Sequence, residues 1–219
     1  MLHTQPVSGI VQYLKDTHHP RAIIITGSYA DGSYNDASDF DCWLISADET
    51  KIRRDTSTVN GVELQAEIYP LSQMMNLAAY QMNYFTDVVI AHDPEGLAEA
   101  FMAQVQKNLS RVPCMPPAQK RQAVAYLDKM MRRARKQDFH GDLRGHLLLV
   151  QSVRYWCDFT DRLFLGMKKT LRMMERADPE SAVLFRQALR RFAIEDIQAW
   201  IDRLHVLCET GEQHEYRIL

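Results

Sequence analysis

Apolar residues recur near the start of the chain at Val7, Ile10, Val11 and Leu14, the three-and-four spacing of an amphipathic helix. That spacing predicts a helix from Val7 to about Thr17. His18-His19-Pro20 stops it, because the residue before a proline disfavours helical geometry. The adjacent histidines are expected in a loop and not as ligands. The unbroken apolar run in Ala22–Thr26 predicts a buried strand, ended by Gly27-Ser28. A second strand is predicted over Asp39–Ile45, and residues 48–60 read as polar and irregular up to the Asn60-Gly61 turn signal. Val62–Tyr69 alternates strictly, with Glu63, Gln65, Glu67 and Tyr69 on its polar face. A helix over Leu71–Asn83, a short strand over Asp87–Ala91 and a helix over Glu95–Asn108 follow.

The pattern then changes character. Val112-Pro113-Cys114-Met115-Pro116-Pro117 cannot continue a helix, which sets a domain boundary there. From Ala118 onward every segment has helical spacing: Ala118–Gln137, Asp142 to about Leu165, Lys168–Arg176, Glu180–Phe192 and Ile194–Leu207. Asp178-Pro179 forms a helix start, with Asp as N-cap and Pro at the first helical position. The tail after Thr210 is polar and expected to be loose. The fold class is therefore α+β, with an N-terminal mixed-sheet domain over 1–112 and an all-helical bundle over 118–219.

Composition narrows the function classes. No apolar stretch approaches the ~20 residues of a membrane span, and the first eight residues lack a secretory layout. The four cysteines, Cys42, Cys114, Cys157 and Cys208, are scattered with no Cys-x-x-Cys pair, as expected of reduced thiols in a cytoplasmic protein. Net charge is −2, but residues 1–117 carry 7 basic and 14 acidic side chains while residues 118–219 carry 19 and 14. An acidic metal-carrying half and a basic helical half would suit a triphosphate bound between them, while most of the basic residues are expected simply to decorate exposed helix faces. The overall balance argues against a dedicated nucleic-acid binder.

The chemistry concentrates where the first two strands meet. Alternate side chains on a strand share a face about 7 Å apart, so Asp39 and Asp41 can converge on one cation or a pair. Hard carboxylate oxygens suit Mg²⁺, which is usually held by one or two carboxylates together with substrate phosphates. Gly27 lets the backbone approach a ligand, and Ser28 adds a hydroxyl and an N–H where phosphate oxygens can sit.

Gly27-Ser28-Tyr29-Ala30-Asp31-Gly32 followed by Ser38-Asp39-Phe40-Asp41 resembles the nucleotidyltransferase superfamily that includes the polymerase-beta-like enzymes. Asp31-Gly32 makes it similar to the antibiotic adenylyltransferases of the streptomycin/spectinomycin group. The resemblance implies a nucleotidyltransferase catalytic domain followed by a helical substrate- and nucleotide-binding domain. It further implies Mg²⁺ (one or two ions) with ATP as co-substrate, and a hydroxyl-bearing small-molecule acceptor, aminoglycoside-like in that group. A homo-oligomer is compatible with it. Glu67 is the implied third acid, as metal ligand or base, with Glu63 as the alternative.

In the helical half, Arg154-Tyr155-Trp156 and Lys168 resemble that group's Arg-x-Trp and downstream lysine, implied to contact ATP phosphates; Lys169 is the alternative lysine. Asp138 and Asp142 loosely resemble its acidic pair for cationic acceptors, although Gly141 is expected to separate two helices there. Arg135 with His140 resembles the RNA-cleaving signature of helical domains that accompany small nucleotidyltransferases in toxin–antitoxin systems. That second reading has the chain act on a protein or RNA partner.

Overall fold

The computed structural model describes residues 5–48, 50–111, 114–136 and 138–210. Val112 and Pro113 of the expected link, Gln137 at the expected end of the first long helix, and the tail after Thr210 lie outside the described residues. Two compact units result, Met1–Arg111 and Val112–Leu219.

The first unit is built on a mixed sheet. Helix α1 (Gln5–His18) precedes β1 (Ala22–Ile25), the short helix α2 (Gly27–Asp31) and β2 (Phe40–Ser46). Strands β3 (Arg53–Asp55), β4 (Thr58–Val59) and β5 (Val62–Pro70) follow. Two single-turn helices, α3 (Leu71–Met74) and α4 (Ala79–Met82), and a 3-10 turn at Asn83–Phe85 lead to β6 (Val89–His92) and α5 (Leu97–Leu109). The sheet order is β3-β5-β2-β1-β6, with β4 pairing β5 off that path. Among the described residues β2 and β5 run parallel and the other pairs are antiparallel.

Alternation along the strands makes two cores. Ile23, Ile25, Phe40, Cys42, Leu44, Leu64, Ala66 and Ile68 pack on Val7, Ile10 and Leu14 of α1. The opposite face buries Ile24 and Ile45 against Met74, Phe85, Phe101 and Val105. Those partners sit at the Ile45 end of β2, so the Asp41 end of this face stays half-buried and reachable.

Within the segment 48–60, whose polarity suggested irregular chain, two short strands form, β3 and β4. Asp55 is buried and anchors the segment: its carboxylate accepts from Ser57 N at 2.8 Å, lies 2.7 Å from His18 Nε2 and 3.3 Å from the Tyr13 hydroxyl. His18 is thus the last residue of α1 with a buried partner, and not a loop residue. The expected helix over 71–83 is broken into separate turns at Leu77-Ala78.

The second unit is all helical, with α6 (Pro117–Ala134), α7 (Phe139–Phe159), α8 (Met167–Ala177), α9 (Pro179–Arg191) and α10 (Ile194–Thr210). Trp156, Trp200, Leu148, Leu204 and Phe185 form its core. Asp178 caps α9 through Ser181 N and also accepts from Trp156 Nε1 at 3.0 Å and Arg203 Nη2 at 3.1 Å. The break between α6 and α7 falls before Asp138, not at Gly141. Gly141 lies in the first turn of α7, donating its N–H to Asp138 Oδ1, and a Cβ there would meet the Ala134 carbonyl oxygen at 3.0 Å. Among the described residues no helix is long and apolar enough to cross a membrane.

Candidate active site

The site grows from one close approach. Thr26 N donates to the Asp41 carbonyl at 3.0 Å, extending the β1–β2 ladder one step past Ile25. The chain then turns into α2 at Gly27, with φ of 64°. A Cβ on Gly27 would lie 2.3 Å from Asp41 Oδ2, well inside contact distance. Glycine is therefore required twice over: for its left-handed backbone and for the space the carboxylate fills. Ser28, half-buried, is the second residue of the turn, and no side chain caps the turn from Thr26.

The loop between α2 and β2 delivers Asp39. Its shape is set by local polar bonds: Ser33 N donates to Asp31 Oδ1, Ala37 N to Asn35 Oδ1, and Asn35 N to Ser38 Oγ, each at 2.9 Å. Behind it, buried Tyr29 stacks on Tyr34 at 4.5 Å and packs on Phe40 at 5.0 Å. Asp39 emerges exposed immediately before β2, and Asp41 follows half-buried on the same side. Cys42 between Asp41 and Trp43 points into the core, where burial pushes its thiol far up and leaves it inert.

Strand register decides what stands beside the aspartates. In the parallel β2–β5 pair, Asp41 is opposite Gln65 and Trp43 is opposite Glu67. Glu63 and Glu67 therefore flank Gln65 one pleat to either side, each about 8 Å diagonally from Asp41. Glu63 lies on the Asp39 side, since Phe40 pairs with Leu64. Glu67 lies toward Trp43, Tyr69, Tyr84 and Phe85, whose rings sit 5.0–6.5 Å from Trp43. Burial, and then Glu67 and Tyr80, push the Tyr69 hydroxyl above its ordinary range.

Arg54 of β3 pairs in register with Glu67 and reaches across β5. Its Nε lies 3.2 Å from Glu67 Oε1, and its Nη2 donates to Gln65 Oε1. Sequence reasoning missed this residue because it sits in the segment read as irregular; Arg53-Arg54-Asp55 against the alternating β5 was the only signal. Among the described residues no three His, Cys, Asp or Glu side chains already converge as a metal cluster. The donor set still fits a hard cation: an exposed and a half-buried carboxylate two residues apart, with a glycine whose missing side chain leaves room for the second one.

The remaining expected residues lie in the helical unit. Arg154 is exposed on α7, its guanidinium 6.0 Å from the Phe164 ring, and Lys168 is exposed in the first turn of α8 beside half-buried Lys169. Trp156 of the Arg-x-Trp is buried in the core. One turn beyond Arg154, burial raises the Asp158 carboxyl and Arg154 partly offsets it. Asp138 caps α7 through Gly141 N, and Asp142 lies in the first turn of the same helix. Arg135 donates to Gln198 of α10 at 2.7 Å, while His140 is exposed beside Phe139.

Residues 7–110 match the model of the nucleotidyltransferase domain family. The N-terminal unit is thus a nucleotidyltransferase domain, and the fold is that domain followed by a helical region. Among solved structures, the chain is similar to a nucleotidyltransferase-like protein from Exiguobacterium sibiricum 255-15 at 14% identity. That likeness covers 94% of this chain and 74% of the other with a TM-score of 0.43, and adds nothing to the assignment. No curated protein matches.

Proposed function

We propose that this chain is an Mg²⁺-dependent nucleotidyltransferase that moves AMP from ATP to a hydroxyl of a small molecule and releases pyrophosphate. The observation that carries the reading is the empty side-chain position of Gly27 against Asp41 Oδ2, inside a domain matching the nucleotidyltransferase family. Asp39 and Asp41 are the carboxylates that would hold Mg²⁺. The bound ion supplies charge neutralisation at the triphosphate and at the α-phosphorus. Gly27 and Ser28 receive the outer phosphates at the close backbone approach. A glutamate of β5, Glu63 or Glu67, takes the proton of the acceptor hydroxyl. The hydroxyl oxygen bonds to the α-phosphorus as the bond to pyrophosphate breaks. Arg154 and Lys168 are the cations of the helical unit suited to the phosphates. The Asp31-Gly32 form of the motif supports an aminoglycoside-like acceptor.

The test follows label from α-³²P-ATP with Mg²⁺ across aminocyclitols, aminoglycosides and lincosamides. Transfer that disappears in both Asp39→Asn and Asp41→Asn is expected. Transfer indifferent to both substitutions, or no Mg²⁺-ATP binding at all, overturns the reading.

A further inference from the structure

Glu63, Gln65, Arg54 and Glu67 form one continuous chain of contacts across the open face of the sheet. Gln65 Nε2 donates to Glu63 Oε1 at 3.4 Å, its Oε1 accepts from Arg54, and Arg54 Nε pairs with Glu67 at 3.2 Å. Reach does not separate the two glutamates, since both stand one pleat from the residue opposite Asp41. Their partners do. Glu67 is neutralised by a guanidinium, so ligating a divalent cation would break that ion pair and leave Arg54 beside a like charge. Among the described residues Glu63 holds only a long bond from a neutral amide and can turn to a metal without abandoning a charged partner. It also stands on the Asp39 side of the site.

We propose that Arg54 is a positioning residue that withholds Glu67 from the metal site and leaves Glu63 as the third carboxylate. This rests on the reading of Asp39 and Asp41 as metal carboxylates. The pair Arg54–Glu67 then belongs to the wall of the site beside Trp43 and Tyr69. Arg54 is over half exposed on an edge strand, so its replacement leaves the cores untouched.

The experiment is a Mn²⁺ titration followed by electron paramagnetic resonance in the presence of α,β-methylene-ATP. Folding of each variant is checked by circular dichroism. Wild-type binding is expected to be lost in Asp41→Asn, weakened about tenfold in Glu63→Gln and unchanged in Glu67→Gln. Arg54→Ala frees Glu67 and is expected to tighten Mn²⁺ binding about tenfold, a gain that disappears in Arg54→Ala/Glu67→Gln. Arg54→Lys, which keeps the charge, is expected to retain wild-type affinity. Weakening in Glu67→Gln, indifference of Arg54→Ala or of Glu63→Gln, or a gain that persists in the double variant each overturns the role of Arg54. The last would mean that only the guanidinium charge mattered. A wild-type protein that binds no Mn²⁺ overturns this proposal and the functional reading together. Binding abolished by Asp41→Asn but indifferent to Arg54 sinks this proposal alone.

Discussion

Replacing Gly27 with alanine adds a single methyl group at the point where the site is tightest. The new Cβ would lie 2.3 Å from Asp41 Oδ2 and 3.1 Å from Asp41 Cβ and Cγ. A carbon and an oxygen need more than 3 Å, so the carboxylate has to move by about 1 Å or the turn has to open. The backbone adds its own cost, because φ of 64° at an L-residue is disfavoured by about 1–2 kcal/mol. The two together predict a domain destabilised by about 2 kcal/mol, seen as a fall in Tm of roughly 8 °C or more for a unit of this size. The effect on chemistry should be larger than the effect on folding. A misplacement of about 1 Å in a reacting constellation costs on the order of a hundredfold. Nucleotidyl transfer by Gly27→Ala at 20 °C, where the variant is still folded, is therefore expected to fall about a hundredfold. Metal-dependent nucleotide binding should weaken in parallel. A folded Gly27→Ala protein with wild-type transfer and wild-type Mn²⁺ affinity would refute the idea that Gly27 exists to make room for Asp41.

Asp55→Asn should remove an acid limb from the stability profile. Burial works against the Asp55 charge, but bonds from Ser57 and His18 outweigh it and hold the carboxyl below its ordinary range. Its contribution is therefore present above the unfolded carboxyl pKa near 4 and lost as pH falls through the lower folded value. Urea midpoints between pH 3 and 7 should show wild type losing about 1–3 kcal/mol on acidification, with a flatter curve for the variant. Asp178→Ala uncaps α9, takes the acceptor from Trp156 Nε1 and leaves Arg203 with Glu180 as its carboxylate partner, and should cost about 2–4 kcal/mol in urea unfolding of the helical unit. Arg154→Ala and Lys168→Ala lie on exposed helix positions, so they should raise KM for ATP several-fold while leaving Tm within about 2 °C. A drop in kcat with KM unchanged would move those cations away from ground-state phosphate binding.

What could be read from the sequence was local. Gly27-Ser28 and Asp39-x-Asp41 announce themselves because strand, turn and strand are contiguous in the chain. The alternation of Val62–Tyr69 fixed which glutamates share a face, but not which of them faces the aspartates, since register between β2 and β5 is a non-local property. Arg54 was invisible for the same reason: three polar residues make no strand signal until β5 supplies their partner. The end of α7 was overextended because Leu163, Phe164 and Leu165 continue an apolar pattern. In the fold the chain leaves the helix at Asp161, whose φ is 50°, and Arg162 N closes the turn on the Cys157 carbonyl at 2.8 Å. At Asp178-Pro179 the helix start was legible, whereas the bond from Trp156 was not, because its two ends are twenty-two residues apart.

The two rims of the sheet have a bearing on how the protein behaves in a crowded solution. The order β3-β5-β2-β1-β6 leaves β3 and β6 at the ends, with three and four residues respectively. A strand that short offers few open amide and carbonyl groups, and β3 sets two adjacent arginines along its length. Another polypeptide trying to add itself as a further strand finds little ladder to extend at either side, and positive charge at one of them. The shortness of both edge strands thus works against runaway strand addition by other polypeptides.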